Sequence, residues 1–336
     1  NLLQTTGLEG RLLNPQINNQ EVEWAQATRH VANEFSRLIR QYGPDSVAFY
    51  VSGQLLTEDY YVANKLMKGF IGSANIETNS RLCMSSAVAA YKRAFGSDTV
   101  PCNYEDLELT ELLVLTGSNA AWTHPILFQR MMAAKEKNPD LKIVVIDPRR
   151  SATSQFADLY LPLKPGSDVA LFNGLLNYLI QQNAVDESYI QAHTEHWQQT
   201  KQQVAQYDLI RVVRECDLVP EVILEFYQYF KQTQRSVTFY SQGVNQSIQG
   251  VDKCNAIINC HLATGKIGKP GNGPLSITGQ PNAMGGREVG GLANMLAAHM
   301  ELDNAEHRDW VQSFWQSPHM ANRPGHKAVE LFEAIK

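Results

Sequence analysis

Long apolar runs are missing from the 336 residues: no window approaches the roughly 18 to 20 uninterrupted apolar residues of a membrane span. The opening NLLQTTGLEG also has neither the charged stretch nor the apolar core of a signal peptide. Cysteine is scarce. The five present, Cys83, Cys102, Cys216, Cys254 and Cys260, are odd in number and show no CxxC spacing, which argues against a disulfide framework. A reducing, cytoplasmic setting is the expectation. The nine histidines are scattered and form no metal-binding spacing. Positive charge is not in excess: 29 Lys and Arg against 34 Asp and Glu leave a net charge of −5, which disfavours nucleic acid and anionic membranes as partners. Tandem repeats, low-complexity tracts and the GxGxxG fingerprint are absent too. With no initiator methionine, the chain is expected to be cut from something longer.

What is present is ordinary globular material, 43% apolar and 19% charged, long enough for about two domains. In VEWAQATRHVANEFSRLIRQYG, apolar residues Trp24, Ala27, Val31, Phe35, Leu38 and Ile39 recur at helical spacing, and Gly43-Pro44 stops the helix. The run SVAFYVSG and a helix over about 58–70 then read as strand, glycine turn, helix. The theme returns in ELLVLTGSN, HPILFQRMMAAKEKN and LKIVVIDPRR, two strands joined by a helical crossover, the signature of a parallel βαβ unit. LYLPL is a short strand and DVALFNGLLNYLIQQ an amphipathic helix; residues 183–235 read as helical and carry no functional signal. VTFYSQG repeats the strand-to-glycine pattern, and CNAIINCHLATG is a helix ending at Gly265. Residues 265–291 hold nine of the 22 glycines, a density expected to preclude regular structure and to suit wrapping around a ligand.

Several loops carry candidate chemistry. TGSN (116–119) lies between a strand and the helix near Pro125, where free N–H groups suit a phosphate; an ordinary βα turn reads the same way. Asp147 ends the next strand, where nucleotide folds place a carboxylate for ribose hydroxyls, although Asp147-Pro148 also fits a simple turn. Arg149 and Arg150 suit phosphate oxygens or a solvated face. KPGSD (164–168) is a third such loop, or a helix cap at Ser167 or Asp168. Cys83 precedes the Ala-rich helix starting near Ser85, whose N-terminal partial charge favours thiolate. Taken alone it reads more readily as a buried core cysteine. Arg287, within ITGQPNAMGGREVGG, suits an anion.

Taken in order, YVSGQ, NSRLCMSSAV, TGSNAAWTHP, VIDPRRSAT, LKPGSDVAL, QGVNQ and LATGKIGKPGNGPLSITGQPNAMGGREVGG resemble the molybdopterin oxidoreductases of the dimethyl sulfoxide reductase superfamily. Within it the chain is similar to the catalytic subunits of bacterial assimilatory nitrate reductases, with the periplasmic ones as close relatives. The resemblance implies molybdenum held by two molybdopterin guanine dinucleotides, with Cys83 as the protein ligand. It assigns cofactor contacts to Gln54, Asn79, Gly117, Ser118, Asn119, Trp122, Thr123, Asp147, Arg149, Ser151, Gly166, Ser167 and Asp168. Gln242, Gln246, Gly279, Gln280 and Met284 would line the same cleft, with Arg287 orienting nitrate and Met84 shaping the pocket. The implied reaction is nitrate to nitrite, with electrons from a ferredoxin, a flavodoxin or a nicotinamide-linked subunit. Formate dehydrogenases are the alternative within the superfamily, but there His usually follows the metal-binding residue and here Met84 follows Cys83. A non-catalytic electron-transfer scaffold of the same fold is another, opposed by the retained Cys83, Gln246 and Arg287. The family's four-cysteine motif for a [4Fe-4S] cluster and its closing domain are not in the chain, which is expected to be a central fragment, inactive alone. The expected architecture is two α/β domains. A Rossmann-like one with a mostly parallel sheet, residues 106–235, is inserted into a discontinuous one made of 1–105 and 236–336.

Overall fold

In a computed structural model, which describes residues 7–335, the chain groups into two compact units. One joins the first 79 residues to those from Asn282 onward, and the other runs from Ser80 to Pro281. The ends of the expected discontinuous domain, residues 1–6 and 336, lie outside the described residues.

The first unit opens on a two-residue hairpin, β1 (Gln16–Ile17) and β2 (Gln20–Glu21), and the helix Trp24–Tyr42. That helix ends where Gly43 adopts φ 89°, a left-handed value that glycine tolerates, with Pro44 behind it. Its residues Phe35, Leu38 and Ile39 share one face, packed on Val47, Met67 and Ile76. Burying Met67 and Ile76 completely contributes about 1.5–3 kcal/mol each. β3 (Phe49–Val51) pairs in parallel with β4 (Ile76–Thr78). The crossover between them is the helix Thr57–Lys65, which continues as a π turn, Leu66–Ile71. The remaining helices of the unit include Ala283–Glu288, Ala305–Trp315 and Ala328–Ala334. A second small core forms around Trp315, Leu296, Leu302 and Val311.

The second unit is built on a five-stranded parallel sheet. Its strands are β5 (Leu112–Thr116), β6 (Lys142–Ile146), β7 (Leu159–Leu161), β8 (Ser236–Tyr240) and β9 (Gly273–Ser276), in the spatial order β7-β6-β5-β8-β9. The sheet is covered on both faces, and its central strands β5 and β6 are accordingly almost wholly apolar. Leu112 and Val114 enter one core, while Leu113 and Leu115 enter the other. The helices Ser85–Phe95, Asp168–Gln181, Pro220–Gln232 and Gly250–Ala263 build the larger core, and Pro125–Lys137 packs into the smaller. Chain order advances outward from β5 through β6 to β7, then restarts on the other flank at β8. The reversal creates a switch point between β5 and β8, the place where open α/β sheets bind ligands at the strands' carboxyl ends. Among the described residues no helix is long and apolar enough to cross a membrane.

Two expectations change. The units divide after residues 79 and 281 rather than after 105 and 235, because β8 and β9 hydrogen-bond into the sheet beside β5. Tyr91, in the helix Ser85–Phe95, bonds across to Pro274 and Ser276, which ties that helix to the same unit. The glycine-dense stretch, expected to be irregular, contains β9 and the helix Ala283–Glu288. Glycine is spent there on close approach: a Cβ on Gly273 would stand 2.6 Å from Cys102 Sγ.

Candidate functional site

Every candidate loop of the second unit lies at the carboxyl end of a sheet strand. TGSN follows β5, Asp147 to Ser151 follow β6, KPGSD follows β7, Gln242 and Gln246 follow β8, and Gly279 and Gln280 follow β9. Parallel strands bring these five loops to one edge, although some 165 residues separate the first from the last. At the switch point the first and fourth loops touch through backbone. Gly243 donates its N–H to Gly117 O at 2.9 Å, and a Cβ on Gly117 would stand 2.7 Å from Val244 N.

The edge is also where the interior leaves polar atoms unmatched. Among the described residues eight buried side-chain N or O atoms have no hydrogen-bond partner, and five of them, on Thr116, Ser118, Ser151, Ser247 and Ser276, lie at or just beyond these strand ends. A buried hydroxyl without a partner costs about 1–3 kcal/mol, so five along one edge of the sheet mark a place for ordered water or a polar ligand.

Other side chains at this edge are already engaged. Asn119 Oδ1 accepts from Thr153 Oγ1 at 2.9 Å, and Thr153 Oγ1 accepts from Ala121 N at 3.0 Å, which locks the β5 and β6 loops together. The N–H groups of Gly117, Ala121, Trp122 and Thr123 are all donated within the protein, so the N–H groups of this turn are less open to a phosphate than the sequence suggests. Trp122 projects outward, 74% exposed, and Thr123 bonds back to Asn119 O. Asp147 is half-buried and accepts from Arg149 N at 2.8 Å. Burial, with a contribution from the charge of Asp168, holds its carboxyl above the ordinary value of 3.8. Gly166 takes φ 91°, and the Ser167 hydroxyl donates to Lys164 O, so Ser167 does not cap its helix by side chain. Asp168 pairs with Lys253 at 2.8 Å, both nearly inaccessible. Gln280 is bonded to Thr278, whose carbonyl meets His124. Thr153, Lys253 and His124 were not singled out from the sequence, and no local pattern marks them: each acts through a partner remote in the chain.

Cys83 is half-buried, at the end of the short helix Ser80–Cys83; Met84 then caps the helix Ser85–Phe95 with non-helical φ −122° and ψ 21°. Two carboxamides from the β8 loop reach it. Gln246 Nε2 lies 3.5 Å and Gln242 Nε2 3.9 Å from its sulfur, while Gln242 Oε1 accepts from Ser241 and is thereby oriented. Burial pushes the Cys216 thiol up to about 11 and Cys254 up to about 12, and raises Cys102 and Cys260 as well, so all four stay protonated at neutral pH. Among the described residues no group of three or more His, Cys, Asp or Glu side chains could hold a metal ion.

Gln54, Asn79, Met284 and Arg287 belong to the first unit. Gln54 lies just after β3, where its Oε1 accepts from Ser52, and Asn79 lies just after β4, where its Oδ1 accepts from Gly53 N at 2.9 Å. The segment bearing Met284 and Arg287 begins at Asn282, whose N–H donates to Gly53 O and whose Nδ2 donates to Leu55 O. All four thus gather at the carboxyl ends of the β3 and β4 pair, the counterpart of the larger sheet's edge.

Residues 11–336 match the family described as Molybdopterin oxidoreductase. The chain is 55% identical over 333 residues to a nitrate reductase of Klebsiella oxytoca, covering 99% of this chain and 38% of that protein. It is 51% identical to a nitrate reductase of Shewanella frigidimarina, with 94% and 34% covered, and 36% identical to a periplasmic nitrate reductase of Desulfovibrio desulfuricans, with 98% and 47% covered. The chain thus spans between a third and a half of the length of these relatives. Acetylene hydratase from Pelobacter acetylenicus shares the fold at a TM-score of 0.64 and 21% identity, over 76% of this chain and 34% of that one.

Proposed function

Because the chain belongs to the molybdopterin oxidoreductase family, we propose that it forms the cofactor-holding part of an enzyme that reduces nitrate to nitrite. The balanced reaction takes two electrons and two protons with each nitrate and releases nitrite and water. The observation that carries the reading is Cys83, whose sulfur faces two carboxamide donors where five buried hydroxyl groups gather without partners.

That edge fits a molybdopterin guanine dinucleotide. Ser118 and Ser151 would meet phosphate or ribose oxygens, Asp147 would accept from ribose or guanine N–H and O–H groups, and Arg149 would offset phosphate charge. Gly117, Asn119, Trp122, Thr123, Gly166, Ser167, Asp168, Gly279 and Gln280 complete the contacts proposed on this unit, and Gln54, Asn79 and Met284 those on the other. A single protein thiolate, Cys83, suits a metal whose remaining ligands are dithiolene sulfurs. When bound, molybdenum supplies the two-electron change. Gln242 and Gln246 hold the Cys83 sulfur by N–H donation, Met84 shapes the pocket wall, and the planar guanidinium of Arg287 binds and orients the nitrate anion. The electrons come from a donor protein or subunit, a ferredoxin, a flavodoxin or a nicotinamide-linked one.

Molybdenum analysis of the full-length enzyme, together with nitrite production from nitrate under reduced viologen, tests the reading. Near-stoichiometric metal with nitrite formation is expected; metal without nitrite would overturn the substrate. Asp147 adds a pH signature. A ligand that donates to it favours the carboxylate, so guanine nucleotide binding to cofactor-free enzyme should weaken as pH falls through the raised pKa, above 3.8, by up to about tenfold per pH unit. Asp147→Asn should flatten that profile, and an unchanged slope by calorimetry would remove Asp147 from the contacts.

A further inference from the structure

Arg287 is borne by a helix of only six residues, Ala283–Glu288, too short to hold its own conformation. The crossover of the first unit holds it at every turn. Asn282 is bonded to Gly53 and Leu55 on the approach to that crossover. Gly285 and Gly286 sit so close to Thr57 and the Tyr60 ring that a Cβ on either would stand 2.5 and 2.9 Å away. Asn64 Nδ2 donates to Val289 O at 2.6 Å, one residue beyond the helix.

The firmest hold comes from Lys68. It is completely buried, on the π turn Leu66–Ile71, and its ammonium donates to the carbonyls of Gly290, Leu292 and Met295 at 2.6, 2.7 and 2.7 Å. A lysine carries three donors on one compact cation, which lets a single side chain gather three peptide carbonyls from an otherwise irregular loop. That loop turns back at Gly290, φ 77°, where a Cβ would stand 2.3 Å from Leu296 C, so the chain around it has little slack.

We propose that Lys68 is a positioning residue for Arg287: it fixes the segment 289–295 from inside and so sets where the guanidinium meets nitrate. The inference rests on the reading of Arg287 as the nitrate-binding residue. Without Lys68 the three carbonyls lose a buried partner and the segment relaxes, shifting a group that must meet a small planar anion. Such a shift weakens binding rather than the chemical step, so KM rises with kcat little changed.

Three variants of the holoenzyme test this: Lys68→Met, Asn64→Leu and Arg287→Lys, each assayed for KM and kcat with nitrate and for amide hydrogen exchange over residues 283–296. Asn64→Leu is the milder probe, since it removes the bond to Val289 together with a buried Oδ1 that has no partner. Expected are a KM raised roughly tenfold or more in Lys68→Met, a smaller rise in Asn64→Leu, and kcat within about threefold in both. Exchange should quicken within 283–296 and not elsewhere. An unchanged KM in Lys68→Met and Asn64→Leu beside a raised KM in Arg287→Lys would overturn the role of Lys68 alone. An unchanged KM in Arg287→Lys would overturn the reading of Arg287 and this inference with it. Exchange that quickens throughout both milder and stronger variants would reduce Lys68 to general stability and sink the proposal.

Discussion

Cys83→Ser should cut nitrate turnover by the molybdenum-loaded enzyme to below about one-hundredth and change the molybdenum EPR signal. Serine keeps the shape but replaces a soft, polarisable sulfur with a hard hydroxyl, the wrong donor for a metal already surrounded by sulfur. The loss should exceed that from its neighbours: removing a group that orients a metal ligand typically costs about 10–100-fold, and this is the range expected for Gln246→Leu. Gln246 Nε2 reaches both the sulfur, at 3.5 Å, and the carbonyl of Cys83, at 3.4 Å, so its loss frees the ligand without removing it. The graded pair is what separates a ligand from a core thiol. Full activity in Cys83→Ser, or a larger loss in Gln246→Leu than in Cys83→Ser, would sink the ligand assignment.

Gly117→Ala should destabilise the protein by roughly 2–5 kcal/mol and leave it unable to retain cofactor. Two costs add. At φ 58° an L residue costs about 1–2 kcal/mol, and the new methyl would meet main-chain atoms of Gly243 and Val244 at 2.7–2.9 Å, an overlap of the kind that costs about 1–3 kcal/mol. Backbone cannot rotate away as a side chain would, so the β5 and β8 loops must separate where the switch point closes. Gly166→Ala is the control. It also has positive φ, 91°, but nothing lies within 4 Å of its added Cβ, so only the conformational cost of about 1–2 kcal/mol should appear, without the overlap. Urea unfolding of both variants, with molybdenum content measured alongside, decides the matter; equal destabilisation would show that the loop contact contributes nothing.

The parts legible in the sequence are those whose signal is local. β5, β6 and β8 read as strands because each is a run of apolar residues closed by Gly, Asp or Ser, and the helices around Phe35, Leu175 and Ile257 read from their periodicity. The loops at the strand ends are legible for the same reason, since a turn residue after an apolar run marks where a strand stops. What escaped is made by partners far along the chain. β4 is IET, with a single apolar residue to mark it, and β9 is GPLS, whose glycine and proline argue against a strand until β8 supplies its ladder. Lys68 and Lys253 look like surface charges in sequence. One is buried among carbonyls more than 220 residues away, and the other is buried against Asp168. The unit boundary escaped likewise, because pairing between β5 and β8 is not written in either strand.

That same pairing has a consequence for how the molecule is made. β5 has β6 on one side soon after it emerges, but on the other side its hydrogen-bonding edge waits for β8, about 120 residues later and roughly 6–25 s of synthesis at ordinary ribosomal rates. Through that interval the nascent chain displays an apolar strand edge of the kind that recruits other chains, and the loop that closes it is long enough to make closure slow. The switch point, where the proposed ligand site lies, is thus among the last junctions of this unit to be sealed. On the proposed reading, cofactor insertion would follow synthesis of the unit, and the interval before β8 arrives is when chaperone protection would count most.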